Sequence, residues 1–306
     1  MSAINPGKVF AALDTPSPDG GQVQGETRNW IGVREFFRNP QARTGLGIVI
    51  VMFLFCFLGP VFYHTNQVSV NINLKDLEPS HQHLLGTDDY GFDMIGRLMR
   101  GGQASMALGF AVAGVTTVVG TLYGAIAGMV GGIVDGFMMR IIDTLLAIPG
   151  LDLLLILVNI FTPSLIVIIF ALSVLSWLGV ARLVRGEVLS LRTRDFVLAA
   201  KTMGGGTGRI LSRHLVPNAI GVIIVNATFS IADAITGLST LSFLGLGMPP
   251  PYADWGTLLT NGLDDLFDGY WWLVYPPAIL LIATIIGFSL IGDAVRDSLD
   301  VRLRRR

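Results

Sequence analysis

Long apolar runs alternate with short polar segments over most of the chain. A helix that crosses a membrane needs about 20 mostly apolar residues, and runs of about this length recur along the sequence. Their predicted bounds are Gly45–Phe62, Ser105–Val130, Phe137–Phe161, Ser164–Val184, Ala219–Leu241 and Leu273–Ile291. The third and fourth runs meet at Phe161-Thr162-Pro163, which predicts a tight hairpin. The pattern therefore predicts an all-α integral membrane protein with six transmembrane helices.

Composition supports a membrane protein over a soluble one. Of the 306 residues, 52% are hydrophobic and only 14% are charged, and the mean hydropathy is +0.63. Soluble domains carry about a quarter charged residues. The single cysteine, Cys56, lies inside an apolar run, so a disulfide framework or a cysteine metal cluster within this chain is excluded.

The basic residues fix the predicted orientation. Cytoplasmic segments of membrane proteins carry an excess of Lys and Arg. With the N-terminus inside, the inner segments hold 18 of the 21 basic residues, and the outer segments keep only Lys75, Arg97 and Arg100. Both termini and the segment between the fourth and fifth spans are therefore predicted to be cytoplasmic, in a multi-pass protein of the cell membrane.

These spans divide the chain into four parts. Residues 1–44 are predicted to form a cytoplasmic tail and a short interfacial helix, because Trp30, Val33 and Phe37 share one helical face. No cleavable signal peptide is expected, since the first apolar run comes late. The other parts are 45–104, the first span and an outer loop; 105–296, a five-helix core; and 297–306, a basic cytoplasmic tail.

A polar and basic island, residues 185–217, interrupts the core. An apolar face is predicted on a helix that begins at Asp195, because apolar residues recur there at i, i+3, i+4 and i+7. The residues of this face are Phe196, Ala199, Ala200 and Met203. An apolar face in the cytoplasm indicates a surface that another protein grips. The alternatives are a solvated loop and a nucleic-acid patch, and the second is disfavoured because no aromatic residues interleave the charges.

Glycines and a proline delimit this predicted surface. Gly204 and the two glycines after it end the helix, since glycine accepts a positive φ. Thr207 is predicted to cap a second helix that carries Arg209, and Pro217 closes that helix or opens the next span.

Polar residues inside the spans carry more information than those outside, because they cost more in lipid. Asn226, Ser230 and Asp233 follow one another at i, i+4 and i+7 and form one stripe. The stripe either lines a water-filled path or packs against another helix or subunit. Arg140 and Asp143, three residues apart, are expected to pair with each other.

Glycines at every fourth residue mark one face of the second span. They are Gly120, Gly124, Gly128 and Gly132. Small residues let neighbouring helices approach closely. Whether the partner helix belongs to this chain or to another stays open.

No catalytic, cofactor-binding or metal-binding residue is assigned. Gly7-Lys8 lacks the pattern of a phosphate-binding loop, so any ATP must bind another polypeptide. His81 and His83 lie near acidic residues, but their spacing favours an ordinary polar loop over a metal site.

The island resembles the EAA loop of permease subunits of binding-protein-dependent ABC importers. That loop has Glu-Ala-Ala, three residues, Gly, nine residues, then Ile-x-Leu-Pro. Here Ala199-Ala200 precede Gly204 by the same spacing, and Pro217 ends the pattern. Leu198, His214 and Val216 depart from it.

Two further stretches resemble the dipeptide/oligopeptide class of these permeases. HLLGTDDYGFD, residues 83–93, is similar to its segment HPLGTDxxGRD, with Phe92 in place of Arg. LSFLGLG, residues 241–247, followed by Trp255-Gly256, is similar to its LSFLGLG…WG stretch.

The resemblance implies the transmembrane domain of a type I ABC importer that moves di- or oligopeptides by alternating access. Its implied partners are a related second permease in a heterodimer, two ATPase subunits that hold ATP and Mg, an extracytoplasmic substrate-binding protein and the lipid bilayer, without nucleic acid. The implied ATPase-coupling residues are Asp195, Phe196, Ala199, Ala200, Met203, Gly204, Arg209 and Pro217. The rival interpretation is a secondary transporter or channel that acts alone.

Overall fold

The fold is given by a computed structural model that describes residues 35–161 and 164–304. In chain order its main helices are α1 (Pro40–Phe62), α2 (Met94–Val130), α3 (Gly132–Leu146), α4 (Gly150–Ile160), α5 (Leu165–Leu191), α6 (Asp195–Thr202), α7 (Thr207–Phe243), α8 (Trp255–Leu263) and α9 (Trp271–Arg304). Five of them, α1, α2, α5, α7 and α9, are long and apolar enough to cross a membrane. The all-α prediction is confirmed.

The third predicted span is broken into α3 and α4, which are bent by 80° at their junction. The break contains Pro149, and proline ends a helix because it has no N–H and its ring crowds the preceding turn. By length and composition alone, the pair is either one broken crossing or a re-entrant loop.

Packing of α2 against α5 decides between these two topologies. A Cβ built on Gly120 would lie 2.6 Å from the Val180 Cβ, and one built on Gly128 would lie 3.0 Å from the Val188 Cβ. Residue numbers on both helices rise together, so α2 and α5 run parallel. Two parallel membrane helices must be joined by an odd number of crossings. The α3–α4 pair therefore crosses once, and the chain has six spans as predicted.

The same contacts identify the partner of the glycine face. Gly120, Gly124 and Gly128 all pack against α5 of this chain. A side chain at Gly124 would overlap the Ala181 carbonyl. Gly132 is not part of this contact, because it lies beyond the end of α2 with a φ of +59°.

Helices α1 and α9 pack antiparallel at the edge of the bundle. A Cβ at Gly45 would lie 2.8 Å from the Gly287 carbonyl oxygen, and the Asn39 amide reaches the Asp297 carboxylate at 3.4 Å. The beginning of the first span and the end of the last therefore lie at one face of the membrane.

On the opposite face, α8 ties the two outer loops to the bundle. Trp255 is fully buried, and its indole N–H donates to the Leu98 carbonyl at 2.9 Å. Gly102 leaves room for this ring, since a Cβ there would lie 2.5 Å from the indole.

Some boundaries differ from the predicted ones. Helix α2 begins at Met94 rather than near Ser105, and its first turns carry Arg97, whose charge is neutralised inside the protein. Helix α9 continues past Ile291 to Arg304. The hairpin residues Thr162 and Pro163, and Trp30 and Val33 of the predicted interfacial helix, lie outside the described residues.

Candidate functional site

The surface formed by residues 195–217 is anchored by its own chain. Val197 and Ala200 of α6 are buried and pack in one apolar cluster with Val188 of α5 and with Ile210 and Leu215 of α7. Helix α6 is therefore packed directly against the neighbouring ends of α5 and α7.

The exposed side of α6 mixes apolar and polar residues. Phe196 is 42% exposed, Leu198 48% and Met203 81%, and Ala199 is exposed between them. Exposed apolar residues grouped on one short helix often mark a protein contact, and these four residues are called the exposed patch. Asp195 is the first residue of the helix and is also exposed.

One residue of the predicted face lies on the other side. Ala200 is only 8% exposed and belongs to the internal cluster. Ala200 faces the bundle because it lies one turn after Val197, on the same buried side of α6. We assign Ala200 to internal packing rather than to the exposed patch.

The second half of the surface also differs from the prediction. Gly204 has a φ of +79° and ends α6, as expected. However, Thr207 caps nothing, because the N-cap residue is Gly206 and no side chain caps the helix. The helix that carries exposed Arg209 runs through a π-helical turn at Leu211–Leu215 into the fifth span, and Pro217 lies in its first turn after that.

Two arginine–aspartate pairs join α3 to α5 near this surface. Arg185 binds Asp135 through two nitrogens, at 2.5 and 2.7 Å. Arg182 binds Asp143, so the expected pair between Arg140 and Asp143 is wrong. Sequence analysis missed both pairs because the register between separate helices cannot be deduced from one sequence.

The polar stripe of the fifth span divides into two environments. Ser230 is buried, and its hydroxyl donates to the Asn226 carbonyl at 2.9 Å, within its own helix. Asn226 is half-buried. Asp233 is exposed, and its side chain has no hydrogen bond or ion pair with any of the described residues.

On the outer face, the acidic segment 83–93 forms a network with α2. Asp88 accepts from Arg97 Nε at 2.9 Å, and Arg97 also donates to the Pro251 carbonyl at 2.7 Å. Phe92 is buried, and the Arg97 guanidinium lies 4.2 Å above its ring centroid. The aromatic ring thus contributes a cation–π contact to this network.

Asp93 is the second centre of this network. It caps α2, and its carboxylate lies 2.9 Å from the Tyr63 hydroxyl and 3.0 Å from His83 Nδ1. Burial and the hydrogen bond to Asp93 raise the pKa of the Tyr63 hydroxyl to about 12. His83 is therefore part of a structural contact, and the described residues include no group of three or more His, Cys, Asp or Glu side chains that would hold a metal ion.

The two outer loops also meet through their acids. Burial, followed by repulsion from Asp88 and Asp76, raises the pKa of Asp89 to about 6. Burial, followed by repulsion from Asp76, also raises the pKa of Asp265. Asp76 acts on both groups, so loops far apart in sequence form one acidic surface.

Comparison with known families agrees with this architecture. Residues 120–305 match the family described as "Binding-protein-dependent transport system inner membrane component". Residues 30–79 match the "N-terminal TM domain of oligopeptide transport permease C".

Individual relatives match over nearly the whole chain. The dipeptide transport system permease protein DppC of Bacillus subtilis is 39% identical, over 89% of this chain and 85% of its own. The oligopeptide transport system permease protein OppC of Bacillus subtilis is 39% identical over 88% of each chain. Escherichia coli K12 OppC is 37% identical, over 92% of this chain and 94% of its own.

A solved structure shares the fold. A chain of the MetNI methionine ABC transporter, in inward-facing conformations, aligns with a TM-score of 0.56 and 21% identity, over 67% of this chain and 97% of that one. The expected type I importer fold is therefore confirmed.

Proposed function

This chain belongs to the family of binding-protein-dependent transport system inner membrane components, and we propose that it forms half of the path of an ATP-driven importer of di- or oligopeptides. It is a membrane permease and a transport subunit without enzymatic activity of its own. The peptide substrate is supported by the names of relatives that match along nearly the whole chain.

The observation that carries the mechanism is the exposed apolar patch on α6. Covering Phe196, Leu198 and Met203 would lower the free energy of the complex, because burial of apolar surface is favourable. A separate ATPase that covers this patch would pull on α6, which is fixed to the inner ends of α5 and α7 through Val197 and Ala200. The spans would then rock between inward-open and outward-open states, with ATP and Mg held by the two ATPase subunits.

The outer surface supports delivery by an extracytoplasmic binding protein. The two outer loops, residues 64–104 and 242–272, pack together through Arg97 and Trp255. Phe267 is 96% exposed on this surface. A related, non-identical permease would supply the other half of the path. The importer would lie in the inner (cell) membrane, with both termini of this chain in the cytoplasm.

Charge on the exposed patch tests the coupling. Met203→Glu or Ala199→Glu should prevent the partner ATPase from co-purifying and should reduce peptide uptake at least tenfold, because a buried unpaired charge is costly at an interface. Ser190→Glu is the matched control: it adds the same charge at an exposed position of α5, outside the patch, and binding should persist.

Two results would contradict the proposal. An ATPase that binds the Met203→Glu and Ala199→Glu permeases as tightly as the wild type would show that the patch is not its docking site. Peptide uptake that continues after removal of every partner ATPase would favour the transporter that acts alone.

A further inference from the structure

Asp233 occupies an open seam on the fifth span. Toward the outer face, Gly237 contacts α5, since a Cβ there would lie 2.8 Å from Leu172. Toward the inner face, Phe229 contacts α9, where a Cβ at Gly292 would lie 3.0 Å from its ring. Asp233 lies one turn from each contact, so its side chain projects between α5 and α9.

The face of α7 opposite this seam is occupied by α2. A Cβ at Gly109 of α2 would lie 3.0 Å from Ile235 and 3.2 Å from Ile231. Ile231 and Ile235 are about half a turn away from Asp233 around the helix. Asp233 therefore points away from α2, into the region where the second half of the path would lie.

Its depth makes this exposure informative. Asp233 is eight residues from the predicted outer end of the span, Leu241, which corresponds to about 12 Å along a helix. The hydrocarbon core is about 30 Å thick. A carboxylate at this depth is costly against lipid tails and normally faces water or a partner.

The neighbouring threonine hydroxyls on α7 already donate hydrogen bonds within their own helix. The Thr236 hydroxyl donates to the Ala232 carbonyl and the Thr240 hydroxyl donates to the Thr236 carbonyl, each at 2.9 Å. Both side chains are exposed on the outer half of α7. Their oxygens keep free lone pairs, and Asp233 supplies the negative charge at the inner end of this polar track.

We propose that Asp233 binds the N-terminal ammonium group of the peptide as it crosses the membrane, a step that rests on the proposed function. The ammonium donates to the carboxylate, and the threonine oxygens accept from the peptide amides that follow. A single acidic group gives a weak and transient site, which suits a path that must release its substrate.

Thiol labelling tests whether Asp233 faces water. Cys56 is the only cysteine of the sequence and is fully buried, so label on the Asp233→Cys permease band, separated from the other subunits by gel electrophoresis, reports that position, with the wild type as control. In the whole importer in lipid nanodiscs, a cationic methanethiosulfonate reagent should label Asp233→Cys. Absence of labelling would overturn the proposal, because it would place the residue against lipid or a partner chain.

Uptake by the reconstituted importer tests the ammonium contact. The probes are a free-amine dipeptide and its N-acetyl analogue, each supplied at a concentration that saturates the binding protein. Asp233→Asn should reduce uptake of the free-amine peptide about tenfold to a hundredfold, the worth of a charge-assisted hydrogen bond. Asp233→Glu should retain it, and uptake of the N-acetyl peptide should not change between wild type and Asp233→Asn.

The other outcomes overturn the inference in distinguishable ways. Equal loss of both peptides, or loss of subunit assembly on size-exclusion chromatography, would make Asp233 a contact between subunits. Unchanged uptake of the free-amine peptide would show that the carboxylate does not bind it. A wild-type importer that takes up neither peptide would overturn the proposed function itself, and this inference with it.

Discussion

At the scale of single residues, the acidic outer surface predicts a pH dependence of stability. The pKa of Asp89 is about 6 in the folded protein and about 3.9 in an unfolded chain, so the folded state holds this proton more tightly. The contribution of Asp89 to stability is therefore greatest below about pH 4 and falls as the pH rises through about 6. Asp89→Asn should raise the midpoint of thermal unfolding at pH 7.5 and have a smaller effect near pH 4.5. Glu78→Gln, which removes an exposed carboxyl from the same loop, controls for net charge, and a gain from Asp89→Asn that is equal at both pH values would contradict the assignment.

At the scale of helices, the glycine face of α2 predicts where a side chain is not tolerated. Gly124→Val should push α2 away from α5, because the new Cβ overlaps the Ala181 carbonyl and a backbone atom cannot rotate away. Overpacking of this kind costs about 1–3 kcal/mol. The yield of monodisperse protein and its thermal midpoint in detergent should both fall. Gly114→Val is the matched control on the same helix, since a Cβ there has no described atom within 4 Å; equal losses in the two variants would exclude the packing explanation.

The helices also show what the sequence could and could not reveal. Hydropathy predicted the spans because lipid demands long apolar runs, and glycine spacing predicted a close helix contact. The start of α2 was missed because Arg97, which resembles an outer-loop base in sequence, is neutralised by Asp88. The partner of Asp143 and the inward position of Ala200 depend on how separate helices pack against each other. The register between helices cannot be deduced from a single sequence.

At the scale of the whole molecule, packing and charge lead independently to one topology. The parallel α2–α5 pair makes α3–α4 a single crossing, so six crossings place the beginning of α1 and the end of α9 on one side. The antiparallel α1–α9 pair agrees, and the distribution of basic residues predicts that this side is the cytoplasm. Green fluorescent protein fused after Arg306 should therefore fluoresce, and alkaline phosphatase fused there should be inactive. Phosphatase fused after Asp268, in the outer loop, should be active and serves as the control. An active phosphatase after Arg306 would mean an odd number of crossings, and the bent α3–α4 pair would then be a re-entrant loop.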